Sequence, residues 1–134
     1  MTGAPYPAIT PRNEFFWTAG EAGVLRFQQC SQCAYYIHPP KPRCPECLSD
    51  AIEVVDVSGR ATVATYTINM HQWHPDFPPP YVIAIVEIEE APYVRLTTRI
   101  VNTDPEEIAI GARVNVLFER QGPAWMPLFQ PEDA

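Results

Sequence analysis

Cys30-Ser31-Gln32-Cys33 and, after a ten-residue spacer, Cys44-Pro45-Glu46-Cys47 hold all four cysteines of the chain. Two Cys-x-x-Cys pairs place four thiolates around one ion, the arrangement of a structural zinc site. The spacer is short for such a site, yet long enough for one strand and a turn. A disulfide or redox role, and iron in place of zinc, are the other readings of the same spacing. Cys44-Pro45 suits a knuckle, in which later backbone amides donate to the first sulfur and proline gives up an amide not needed there. The ribbon these pairs define, residues 24–50, is too small to hold itself together by apolar burial. Metal binding is expected to supply much of its folding free energy.

Working outward, Val24 to Gln29 alternates Leu25 and Phe27 against Arg26 and Gln28 and predicts a strand leading into the first knuckle. Tyr35 to His38 is the expected return strand, ending at Pro39-Pro40. Upstream, Thr10-Pro11 reads as a cap followed by proline at the first helical position. It predicts a helix from Pro11 to about Ala19 or Ala22, with Gly20 and Gly23 available to end it. That helix carries Phe15-Phe16-Trp17. Three adjacent aromatics span about 200° of a helix that turns about 100° per residue, more than one small core buries easily. Either two pack inside with the third partly covered, or the helix docks on a partner. The first nine residues are proline-spaced and read as extended or disordered.

Downstream the pattern changes to strand after strand. Ile52, Val54 and Val57 begin it, and Ser58-Gly59 makes a turn. Arg60 to Met70 alternates Ala61, Val63 and Thr65 with Ala64, Tyr66 and Ile68. Tyr81 to Glu89 puts Val82, Ala84, Val86 and Ile88 on one face. Tyr93 to Val101 sets Val94, Leu96, Thr98 and Ile100 against Arg95 and Arg99. Asn102 to Ile108 forms a short helical turn, followed by strands at Arg113 to Arg120 and Met126 to Gln130. The chain is thus mainly β: an N-terminal extension and helix (residues 1–23), a zinc ribbon (24–50) and a five-stranded OB-fold barrel (51–134). Between two of the barrel strands lies His71-Gln-Trp-His-Pro-Asp-Phe-Pro-Pro-Pro80. Its prolines stiffen it, so that rings presented there lose little entropy on binding.

At 134 residues and 46% hydrophobic content there is enough apolar material for one real core. Sixteen prolines favour loops and extended segments over long helices. Residues 1–47 carry four basic and three acidic side chains, a net of +1, whereas residues 48–134 carry five and thirteen, a net of −8. An acidic barrel works against binding to a phosphate backbone, which disfavours nucleic acid as a partner despite the tyrosines at 66, 81 and 93. No secretory leader or membrane-length apolar run is visible, and reduced cysteines point to the cytosol.

The residues disfavour catalysis by this chain alone. Four thiolates leave no open position on the ion and no free cysteine nucleophile. Ser31, Ser49 and Ser58 lie beside the knuckles or in a turn, which disfavours a serine triad. His71, His74 and Asp76 are the remaining candidates for a second metal or acid–base site, with exposed contact residues the plainer reading. No catalytic residue is assigned. Lys41 and Arg43, with Arg26 nearby, make one positive spot suited to the phosphates of a small ligand such as coenzyme A.

Several motifs in order carry a resemblance: Arg12-Asn-Glu-Phe-Phe-Trp17, Leu25-Arg-Phe-Gln-Gln-Cys30-Ser-Gln-Cys33, His38-Pro-Pro40, Arg43-Cys-Pro-Glu-Cys47, Ser58-Gly-Arg-Ala-Thr-Val63, Pro80-Tyr-Val82 and Pro127-Leu-Phe129. Over nearly its whole length the chain resembles the family known as domain of unknown function thirty-five, which implies an N-terminal helix, a rubredoxin-like zinc ribbon and a C-terminal OB-fold. Ala34 stands where that family usually has glycine after the second cysteine. The resemblance implies a structural zinc on Cys30, Cys33, Cys44 and Cys47. It also implies a non-catalytic accessory subunit that stabilises a thiolase-superfamily enzyme in a heteromeric complex and helps enclose or channel the acyl-CoA. The most specific form is a retro-aldolase of steroid side-chain degradation; a MaoC-type enoyl-CoA hydratase or an acetyl-transferring thiolase are alternative partners. Phe15, Phe16, Trp17, Trp73, His74 and Phe77 are the expected partner interface. A nucleic-acid-binding ribbon–OB module and a stand-alone hydrolase are the competing classes.

Overall fold

The computed structural model describes residues 5–132, so the part of the extended N-terminal reading that falls on residues 1–4 lies outside it. Helix α1 spans Glu14–Thr18 and runs into a 3-10 turn at Ala19–Ala22. The strands are β1 (Leu25–Cys30), β2 (Tyr36–Ile37), β3 (Ile52–Val57), β4 (Arg60–Asn69), β5 (Tyr81–Ile88), β6 (Ala91–Ile100), β7 (Arg113–Gln121) and β8 (Ala124–Pro131). A second 3-10 turn at Pro105–Glu107 is capped by the Asp104 side chain, which accepts from the Glu106 amide. Strands β4-β5-β6-β8-β7 close into a five-stranded barrel with the turn before its fourth strand, the OB arrangement.

The helix is shorter than expected. Thr10 and Asn13 exchange hydrogen bonds, the Thr10 amide to Asn13 Oδ1 (2.7 Å) and the Asn13 amide to Thr10 Oγ1 (3.4 Å), so the residues around Pro11 form a turn and the α-helix begins at Glu14. Gly23, at φ 75°, ends the 3-10 turn with its amide on the carbonyls of Ala19 and Gly20. Gly20 has a different task. A Cβ there would lie 2.5 Å from Phe118 and 2.6 Å from Trp125, so its bare backbone lets the turn sit directly on the barrel wall.

Two expected strand readings are corrected. Ile52 and Val54, taken as opening the barrel, belong to β3, which pairs antiparallel with β1 from Leu25↔Val57 to Cys30↔Ile52. The ribbon is therefore a three-stranded sheet ordered β2-β1-β3. A short ribbon hairpin leaves one side of β1 unpaired, and β3 satisfies it. In β4 the expected alternation fails after Val63, because the pairing with β5 skips from Val63 to Thr65. One extra residue reverses the faces. Ala61 and Val63 point into the barrel, then Tyr66 and Ile68 pack against the same core while Thr65 is exposed. Strands β5 and β6 keep the expected faces: Val82, Ala84, Val86 and Ile88, with Val94, Leu96, Thr98 and Ile100, are all buried.

The barrel interior, Phe16 of α1 and Leu25 and Phe27 of β1 form one continuous core. Cys30, Ile37 and Cys44 make a separate small cluster, flanked by Tyr35 and Ile52. The lower half of the ribbon thus belongs to the barrel's core, and the upper half has little apolar material besides its sulfurs.

Candidate metal centre and adjoining cleft

The two knuckles repeat one backbone pattern. The first cysteine of each accepts at its carbonyl from the amide four residues on, Ala34 to Cys30 (2.8 Å) and Leu48 to Cys44 (2.9 Å). Its own amide donates to the carbonyl five residues on, Cys30 to Tyr35 and Cys44 to Ser49, both 2.9 Å. Such a tight loop needs a left-handed residue after the second cysteine. Ala34 and Leu48 supply it at φ 66° and 64°.

These turns bring the sulfurs of Cys30, Cys33, Cys44 and Cys47 within 4.8 Å of one another. Cys30 and Cys47 are 3.5 Å apart, and Cys33 and Cys44 3.6 Å. Four sulfurs at about 2.3 Å from one zinc ion lie about 3.8 Å apart in a tetrahedron, so the set fits. All four thiols are free, which sets aside the disulfide reading in this state. The Cys33 amide, against the opposing effect of burial, holds the Cys30 thiol down at about 7. The Tyr35 amide pulls Cys33 the same way, but burial and the crowding of Cys44, Cys47 and Cys30 push it up to about 12. Four thiolates together repel one another, and a dication relieves that repulsion. The donor set is that of a structural zinc ion.

His38 is not among the ligands. Its ring lies 5.1 Å from those of both Phe16 and Phe27, and burial lowers its pKa to about 4. Among the described residues no second group of histidines and acids is placed to hold a metal. His74 Nδ1 accepts from the Asp76 amide instead, and His71 meets the Trp73 ring edge-on.

The residues singled out as an interface do not share one fate. Phe16 is only 4% exposed and belongs to the chain's own core, so it has little surface to offer a partner protein. Phe15 and Trp17 are half-buried against that core. Trp73 is 74% exposed, its indole N–H held by Asn69 Oδ1 at 3.1 Å, beside Met70 at 72%. Phe77 folds back, with the Arg99 guanidinium 4.9 Å from its ring. Lys41 and Arg43 are exposed, and Arg43 Nη1 donates to the Leu48 carbonyl of the second knuckle (3.1 Å). Arg26 does not join their positive spot, because it pairs with Asp56 at 2.7 Å across β1 and β3.

Tertiary structure also makes a feature absent from the sequence reading. A cleft of about 770 Å³ opens on the outer face of β6 and β8. Phe16, Trp17 and His38-Pro39-Pro40 line it, as do Phe77, Ile83, Arg95, Thr97, Arg99, Gln121 and Met126. Helix, ribbon and loop, distant in sequence, meet there. The ribbon is fixed on the barrel beside it, with Tyr35 stacked on Tyr93 at 4.7 Å and the Tyr36 amide bonded to the Tyr93 hydroxyl at 3.0 Å. One face and the hydroxyl of Tyr93 are thereby engaged within the chain, while the residue stays 52% exposed. Of the barrel's arginines, Arg60, Arg95, Arg99 and Arg113 are ion-paired, and Arg120 lies over Trp125.

Comparison with known proteins agrees with this architecture. The family described as "ChsH2, rubredoxin-like zinc ribbon domain" matches residues 17–53, and "ChsH2, C-terminal OB-fold domain" matches residues 54–119. A DUF35 domain-containing scaffold protein of Methanothermobacter thermautotrophicus is 35% identical over 99 residues, 72% of this chain and 72% of that one. A probable enoyl-CoA hydratase alpha subunit of Thermomonospora curvata is 37% identical over 128 residues, and the chain spans only 40% of its length. A solved chain of "Ltp2-ChsH2(DUF35) aldolase" is 35% identical with a TM-score of 0.84, over 94% of this chain and 98% of that one.

Proposed function

The chain belongs to the DUF35 family, in its ChsH2-type pairing of zinc ribbon and OB-fold, and on that premise we propose that it is a non-catalytic accessory subunit of a thiolase-superfamily acyl-CoA enzyme. The favoured partner is a retro-aldolase that cleaves a steroid side-chain thioester. The observation that carries this reading is the end-to-end likeness to the DUF35 chain of an aldolase complex, over 94% of this chain and 98% of that one. A closed four-thiolate site supports it, since such a metal offers no position to substrate.

In this reading the zinc fastens the ribbon, and the catalytic groups belong to the partner. Phe15, Trp17, Trp73, His74 and Phe77 contribute contact surface, and Lys41 and Arg43 lie toward the coenzyme A phosphates. The stiff, exposed Trp73 and Met70 are suited to fill an apolar socket on another protein. The likeness to a hydratase alpha subunit supports a second reading, in which the partner hydrates an enoyl-CoA.

Co-expression with a thiolase-fold protein separates these readings. A stable complex that cleaves a β-hydroxyacyl-CoA only when both chains are present is the expected result. Cleavage undiminished without this chain overturns the proposal, and hydration without cleavage moves it to the second partner.

A further inference from the structure

We infer that the cleft between α1, the ribbon and the β4–β5 loop is a binding site for a flat, electrically neutral, largely apolar group with one or two oxygen acceptors. The inference deepens the accessory reading and rests on it only for the source of that group, the acyl body of the thioester.

The order β4-β5-β6-β8-β7 makes β5 and β6 the second and third strands of the OB barrel. The outer face of those strands, between the first and last hairpin loops, is where this fold binds ligands. The cleft takes Ile83 from β5, most of its floor from β6 and the rest from β8, and Phe77 of the first such loop and Gln121 at the last both line it.

Its walls are rigid and aromatic. Phe16 is anchored in the core and meets Trp17 edge-on at 4.8 Å. On the other side Phe77 is backed by Arg99 in a loop stiffened by prolines. Walls that are already ordered lose little entropy when a ligand enters. The floor is the outer surface of a sheet, a shape suited to a flat group.

Charge decides the class of ligand. Both arginines of the floor are spoken for, Arg95 by Glu87 at 2.9 Å and Arg99 by Glu119 at 3.1 Å. A phosphate or polynucleotide finds no uncompensated cation there. The exposed Thr97 hydroxyl and the guanidinium N–H groups left over from these pairs suit a carbonyl or hydroxyl oxygen. The volume, about 770 Å³, lies within the range of about 300–1,000 Å³ of small-molecule sites. The cleft is open on one side, so a ligand keeps one face for a second protein.

Nile red, a flat neutral dye with one carbonyl, tests this on the full zinc-loaded chain. Saturable binding with a blue-shifted emission is expected, unaffected by millimolar inorganic pyrophosphate. Trp17→Ala and Phe77→Ala should each weaken it about tenfold. Ile110→Ala, at an exposed apolar position outside the cleft, should change it less than about twofold. Phe77 lies on a loop, so its variant carries the test if Trp17→Ala fails to fold. Unchanged binding by Phe77→Ala, an equal loss in Ile110→Ala, or displacement by pyrophosphate overturns the inference. A complex with the thiolase-fold partner that forms while the dye site is absent defeats this inference alone. Dye binding without any complex defeats the accessory reading alone.

Discussion

At the scale of single residues, the knuckles carry a cost that their sequence announces. Ala34 sits at φ 66°, where an L side chain is strained by about 1–2 kcal/mol. Ala34→Gly should therefore stabilise the zinc-loaded protein by about 1 kcal/mol, read as a higher midpoint in urea. An unchanged or lower midpoint would show that the turn tolerates its alanine. His38 is a second residue whose setting has a measurable consequence. Burial beside two phenylalanines lowers its pKa from the ordinary 6.5 to about 4. Between those values the unfolded chain binds a proton that the folded chain does not, so stability is lost as pH falls through the window and is constant above it. The loss from this group is on the order of 3 kcal/mol. His38→Phe should flatten that slope relative to the parent, with zinc release in acid common to both. Parallel stability curves would remove His38 from the account.

Among the elements, the short helix and its 3-10 extension owe their position to what is missing from Gly20. Its Cα faces Phe118 and Trp125 with no room for a methyl group. Gly20→Ala should destabilise by about 1–3 kcal/mol through overpacking, although the same exchange in a free helix would favour helix. Thermal unfolding of the variant checks the sign. Strand β4 shows the complementary case, in which an insertion is accommodated rather than excluded. Its bulge between Val63 and Thr65 lets Ala61 and Val63 at one end, and Tyr66 and Ile68 at the other, serve the same core. A strand of ten residues in a small closed barrel must bend, and the bulge is where it does so.

For the whole molecule, the zinc site acts as a fastening between parts that share a core. Phe27 at the base of β1 packs with the barrel, whereas Cys30 at its end belongs to the sulfur cluster. Losing the metal should loosen the upper ribbon, and with it the Tyr35–Tyr93 and Tyr36–Tyr93 contacts that set the cleft's ribbon wall. Cys44→Ser should thus lose zinc, ribbon order and partner binding together, measured by metal content, amide exchange and co-purification. A variant that folds and assembles but fails only in turnover would contradict a purely structural metal. The surface charge is likewise a property of the whole. A net of −7, with the barrel arginines paired or stacked, leaves little to attract a polynucleotide.

The four cysteines, their spacing and the period-two strands were sufficient by themselves for the ribbon, the metal and the barrel, because ligand chemistry and alternating burial are local properties of sequence. Where β3 pairs, where β4 bulges and how far α1 extends were not legible, because each depends on a neighbour distant in the chain. The aromatics of the first helix left two readings open, and tertiary packing divided them: Phe16 went inward, and Phe15 and Trp17 stayed half-buried. The cleft was least visible of all. Trp17, Pro39, Phe77 and Thr97 come from four separate segments, and only the closure of the barrel brings them to one face.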